Sequence, residues 1–210
     1  MSGMATADTA LRADARRNRD AVIDAAGALF AERGDDVQMG EIAQRAGLGV
    51  GTLYRHFADK QSLRAAIIGR RFEAMAELAR SCAQVEDAGD AFESLLLGYL
   101  SEVEKDVAFR VALLSPTPAH WDDIEKQKES FSAAVSEVVD RAVTEGHLRA
   151  DFTAADFILV TRGTIANMTE EGDWRRHLTL QLEGALTKDA PTKGAPTRGA
   201  PGQSPRDSGR

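Results

Sequence analysis

Between residues 41 and 60 the chain gathers side chains suited to phosphates and base edges: Thr52, Tyr54, Arg55 and His56 in one run, with Lys60 just beyond. Apolar residues are interleaved with them at helical spacing. In Glu41-Ile42-Ala43-Gln44-Arg45-Ala46-Gly47-Leu48, the small Ala43 lets two helices cross closely, and Gly47 supplies the left-handed backbone of a tight turn. In Gly51-Thr52-Leu53-Tyr54-Arg55-His56-Phe57, Leu53 and Phe57 lie four residues apart and turn inward with Ile42. Val50, Gly51, Thr52, Tyr54, Arg55 and His56 then face outward to varying degrees. This is helix-turn-helix logic, and such an outward face can enter a DNA major groove.

Other chemistries lack the residues they need. Gly47-x-Gly49-x-Gly51 has Thr52 where a dinucleotide loop needs its third glycine, no strand before it and no Gly-Lys-Ser/Thr after it. His56, His120, His147 and His177 are far apart and form no His-Glu-x-x-His pair. The single Cys82 has no disulfide partner and no activating neighbour recognisable from sequence. His120-Trp121-Asp122-Asp123 could gather a ligand, yet an aspartate opening a helix accounts for the acids more simply. No catalytic residue, metal site or cofactor is expected, and the chain is not expected to be an enzyme.

The elements that must position the motif read as helices throughout. Val, Ile and Thr are too scattered to alternate along strands, whereas Ala, Leu, Glu and Arg dominate, so the expected class is all-α with about nine helices. The first is expected over about 16–33, with Val22, Ile23, Ala26, Leu29 and Phe30 on one face and Gly34 closing it. Short helices over about 39–46 and 50–57 flank Gly47, and Asp59 caps a long helix to about 82. Five more are expected near 90–105, 107–114, 122–145, 153–168 and 173–187, punctuated by Pro116, Pro118, Gly146, Thr153 and Asp173. Ala190-Pro191-Thr192-Lys193-Gly194 recurs as Ala195-Pro196-Thr197-Arg198-Gly199 without large apolar residues, so 188–210 is expected to be a disordered tail.

A net charge of −7 would argue against a nucleic-acid partner if it were spread evenly. It is not: residues 11–72 hold 11 Lys/Arg against 8 Asp/Glu, and residues 73–187 hold 10 against 22. A basic first third can approach phosphates, while the acidic middle is left for ligand binding or assembly. Residues 1–15 are expected to be a flexible basic arm, and Arg12, Arg16, Arg17 and Arg19 outnumber Asp14 and Asp20 for phosphate or minor-groove contact. With no apolar run of about 18 residues and no apolar N-terminal stretch, a cytoplasmic chain without a membrane partner is expected.

The segments Ile42-Ala43-x-x-Ala46-Gly47, Gly51-Thr52-Leu53-Tyr54-Arg55-His56-Phe57 and Lys60-x-x-Leu63 resemble the N-terminal domain of TetR-family transcriptional regulators. The resemblance covers about 16–65, and Glu145-Gly146-His147-Leu148-Arg149-Ala150-Asp151-Phe152-Thr153 more weakly resembles the family's connection into its dimerising helices. It implies a DNA-binding domain over 16–62 and an effector-binding and dimerisation domain over 63–187. Tyr54, His56 and Lys60 would contact phosphates, with Arg16 and Arg17 in support. Val50, Gly51, Thr52 and Arg55 would lie at the groove, and Met39 and Gly49, at the flanking helix starts, would also be DNA-binding residues. Gln38 and Arg55 can hydrogen-bond purine edges. Two caps depart from the family pattern, Gln38 for the usual Thr and Gly49 for the usual Ser, which puts those phosphate contacts in doubt.

The resemblance further implies a homodimer formed through about 153–168 and 173–187, binding a palindromic double-stranded operator. It also implies a small-molecule effector pocket among the fourth to eighth helices. Phe72, Met75, Tyr99, Phe109, Trp121, Phe131 and Arg162 are the expected wall residues. A repressor released by its effector is the expected function; the alternative is a regulator whose acidic half binds a protein instead.

Overall fold

The computed structural model describes residues 3–114, 121–169 and 171–186. The expected tail over 188–210 and the breaks at Pro116 and Pro118 lie outside the described residues. Within them every element is helical apart from a single antiparallel bridge between Leu148 and Leu186, as the residue usage leads one to expect.

Helix α1 spans Gly3–Arg33, so it begins at Gly3 instead of about Arg16, and the expected flexible arm is helical where it is described. The reason is local: Ala5, Ala7, Ala10, Leu11, Ala13 and Ala15 are strong helix formers with no breaker among them, and propensity outweighs the local charge. A 3-10 turn, Gly34–Asp36, leads to α2 (Met39–Arg45) and α3 (Val50–His56). Helix α4 (Lys60–Ala83) starts behind Asp59, whose carboxylate accepts the Ser62 N–H at 2.7 Å, the cap that the sequence predicts. Then come α5 (Ala88–Lys105), α6 (Val107–Leu114), a 3-10 turn (Trp121–Ile124), α7 (Glu125–Thr144), α8 (Ala154–Ala166) and α9 (Trp174–Ala185). Thr153 and Asp173 cap α8 and α9 as expected. Asp122 and Asp123 fall inside the 3-10 turn instead of at the start of α7, where Ile124 takes the N-cap position without a side-chain bond.

Apolar burial forms two cores joined by one helix. In the head, Val22, Ile23, Ala26 and Leu29 of α1 pack on Ile42, Ala43, Leu53, Phe57 and Leu63. In the body, α4, α5, α7 and α8 enclose Phe72, Met75, Leu95, Tyr99, Phe131, Val135, Val138 and Phe157. Helix α4 contributes Leu63 to the first core and Phe72 to the second, so the head reaches past the expected boundary at 62. Where α4 passes the turn before α7, Gly69 makes close approach possible: a Cβ there would lie 3.0 Å from Ile124 Cγ2.

Polar ties hold α4 on both sides. Arg70 pairs with Asp24 of α1 at 2.7 Å, and its neighbour Arg71 pairs with Asp106 ahead of α6 at 2.8 Å. At the far end of α4, Arg141 of α7 donates to the Ala83 and Val85 carbonyls at 2.8 and 2.6 Å, groups that a helix terminus leaves without partners of its own. Among the described residues, no helix is long and apolar enough to cross a membrane.

Candidate nucleic-acid interface

The turn between α2 and α3 is built as its residues require. Gly47 has φ +69°, and its N–H and that of Leu48 donate back to the Gln44 and Ala43 carbonyls at 3.1 and 2.9 Å, a Schellman closure that satisfies the last carbonyls of α2. Ile42, Ala43 and Leu53 are fully buried and Phe57 nearly so, which locks α3 against α1 and α2. Arg45 forms a two-pronged pair with Glu32 of α1, both contacts at 2.9 Å, and Arg33 pairs with Glu41 of α2 at 2.8 Å. These cross-helix pairs have no signature in the sequence, because their partners are not separated by three or four residues.

With one side of α3 buried, the other is presented outward. Val50 is 45% and Tyr54 50% exposed, unusual values for large apolar or aromatic side chains, and Gly51 and Arg55 are exposed beside them. Thr52 and His56 are half-buried at the margins, and Lys60 is half-buried at the first turn of α4. Gly49 precedes α3 in an extended conformation and contributes only backbone: its carbonyl accepts the Thr52 N–H at 2.9 Å. Gln38 is exposed ahead of α2, and its own N–H donates to the Glu41 carboxylate at 2.7 Å. Hydrogen bonds from Arg33, then from this N–H, hold Glu41 below the ordinary glutamate range.

Met39 and the basic arm depart from expectation. Met39 is buried in the head core, so its side chain supports α2 from behind and is not offered to DNA. Arg16 and Arg17 are exposed on a helix and not on an extended strand of chain. Arg17 is paired with Asp14, and Arg19 instead lies over the Phe57 ring, 5.3 Å from its centroid. Helical spacing places Arg12, Arg16 and Arg19 along one face and Arg17 off it.

The body contains a cavity of about 360 Å³ bounded by α4, α5, α6, α7 and α8. Of the expected wall residues, Phe72, Tyr99, Phe131 and Arg162 line it. Met75 and Phe109 do not: both are core residues, with Phe109 set edge-on to Phe72 at 5.6 Å behind the wall. The Trp121 side chain lies outside what is described. Leu113, Lys128, Ser132, Ile158, Thr161 and Ile165 also line the cavity and were not singled out from sequence, since helix periodicity marks a buried stripe without telling core from cavity wall.

Comparison with known proteins bears on both halves. The family model described as bacterial regulatory proteins, tetR family, matches residues 22–67, which comprise α2, α3, the turn and the adjoining ends of α1 and α4. The crystal structure of a TetR transcription regulatory protein from Mycobacterium vanbaalenii superposes with a TM-score of 0.60 at 29% identity, over 84% of this chain and 99% of that one. Residues 22–67 therefore carry the N-terminal domain of the TetR family, and the whole chain is similar in fold to a TetR transcription regulatory protein. An HTH-type transcriptional regulator of Staphylococcus aureus (strain USA300) is 46% identical over 54 residues, 25% of this chain and 29% of that relative. The chain thus matches less than a third of the length of the curated relatives. SmeT, described as the repressor of the Stenotrophomonas maltophilia multidrug efflux pump SmeDEF, shares the fold with a TM-score of 0.57 at 20% identity, over 84% of this chain and 94% of that one.

Proposed function

We propose that this chain is a TetR-family transcriptional repressor that binds a palindromic operator as a homodimer and is released by a small molecule held in the body cavity. The observation that carries the DNA-binding part is the outward face of α3, where Val50, Gly51, Tyr54 and Arg55 project from a helix whose opposite side is buried. Tyr54, His56 and Lys60 position the head on phosphates, and Arg55 and Gln38 read base edges. One seven-residue helix spans only a few base pairs, so two copies related by a two-fold axis are needed for a specific site. Helices α8 and α9 supply the pairing surface, for Leu159 is 71% and Leu180 52% exposed on them. The aromatic-walled cavity favours a small ligand over a protein partner for the acidic half.

Selection of DNA fragments from a random pool by the purified protein tests this. The expected product is an inverted repeat with half-sites about one helical turn apart or slightly more. Recovery of unrelated fragments, or of a single half-site, would overturn the dimeric operator.

A further inference from the structure

The inner wall of the cavity is aromatic and offers little polarity. Tyr99 stacks on Phe131 with ring centroids 5.4 Å apart and planes 20° apart, and Phe72 lies tilted against Phe131 at 5.9 Å. Thr161, fully buried in α8, spends its hydroxyl on the carbonyls of Phe157 and Ile158 at 2.8 and 3.2 Å. A ligand therefore meets flat apolar surface inside and has to keep its charge at the mouth.

At the mouth Glu125 and Glu129 balance Lys128 and Arg162 in number, but not all of these charges are paired. Lys128 is paired with Glu125 at 2.6 Å along α7, leaving Glu129 on the same helix and Arg162 on α8. Among the described residues the Arg162 guanidinium has no ion pair or hydrogen bond, in a body where acids outnumber bases and Arg80, Arg149 and Arg175 have each found a carboxylate. A guanidinium presents parallel donors that match a carboxylate bidentately and remains charged at any biological pH.

We propose that the cavity takes a small amphipathic carboxylate, its apolar body lying along Phe72, Tyr99 and Phe131 and its carboxylate paired to Arg162. This rests on the effector reading and specifies the ligand class for that same site. Calorimetric titration of the full-length protein with biphenyl-4-carboxylate, biphenyl-4-carboxamide and 4-phenylbenzylamine tests it. The carboxylate is expected to bind at least about tenfold more tightly than the other two. Arg162→Met should reduce the carboxylate to the level of the amide while leaving amide affinity and the mass by light scattering unchanged, and Arg162→Lys should fall between. An amine that binds as tightly as the carboxylate, a carboxylate preference that survives Arg162→Met, or no binding of any probe at millimolar concentration would overturn the assignment. DNA release in the same titration separates the two readings. An amine that binds and releases DNA defeats the carboxylate and leaves the effector; Arg162-dependent carboxylate binding without release defeats the effector and leaves the carboxylate.

Discussion

Arg55 and Lys60 are both cations near the outward face of α3, but their surroundings assign them different work. Arg55 is exposed on α3, whereas Lys60 is half-buried at the first turn of α4. Arg55→Ala is expected to cost about 1–3 kcal/mol against the preferred site and little against other sequences, which flattens the preference at one base position. Lys60→Ala should weaken binding to all sequences alike and lower the salt slope by about one unit. Titrations on operator and random DNA at several salt concentrations would distinguish these outcomes, and a sequence-dependent loss in Lys60→Ala would refute its phosphate role. Burial likewise separates Met39 from Gln38. Adjacent in sequence, one lies in the head core and the other is exposed, because the first turn of α2 rotates them to opposite sides.

At the scale of elements, two junctions determine where the outward face of α3 and the exposed faces of α8 and α9 point. Gly47→Ala puts a side chain at φ +69° and is expected to destabilise the head by about 1–2 kcal/mol, visible as a lower denaturation midpoint; an unchanged midpoint would mean that the turn relaxes freely. The second junction ties α5 to α9, where Glu104 accepts the Trp174 indole N–H at 2.8 Å and an Arg175 bond at 3.2 Å. The indole hydrogen bond, then the guanidinium, hold Glu104 below the ordinary glutamate value of 4.5. A carboxylate lowered in the folded state stabilises above its unfolded pKa and loses that contribution as pH falls through the folded one. The melting temperature of the native chain should therefore fall relative to Glu104→Gln as pH drops below about 4.5, with Trp174 fluorescence changing in the same window. A constant offset between the two proteins across that range would remove Glu104 from the tie.

For the whole molecule, the question is how the body and head act as one object. Helix α4 lies in both cores, and Arg70 and Arg71 reach from it to Asp24 of α1 and to Asp106 ahead of α6. A ligand filling the cavity touches α4 through Phe72 and α6 through Leu113, so any differential affinity between two α4 orientations is transmitted to the head. Dimerisation belongs to this scale too. Leu159→Asp places a charge on the most exposed apolar side chain of α8, and it is expected to give a monomer in light scattering together with loss of operator binding. A monomer that still bound the full operator with native affinity would contradict the two-headed mechanism.

The sequence by itself determined the all-α class, the helix-turn-helix, the inward set Ile42, Leu53 and Phe57, and the caps at Asp59, Thr153 and Asp173. Each of these is written in spacing or in one residue's local chemistry, within a turn or two of chain. Only the tertiary structure decided what depends on distant partners. It buried Met39, extended α1 back to Gly3, moved Met75 and Phe109 from the cavity wall into the core, and left Arg162 unpaired at the cavity mouth. Core and cavity wall share one apolar periodicity, and a surface arginine reads the same whether or not an acid lies opposite. The physical difference is which helix packs across from them, and that is set by the assembled fold.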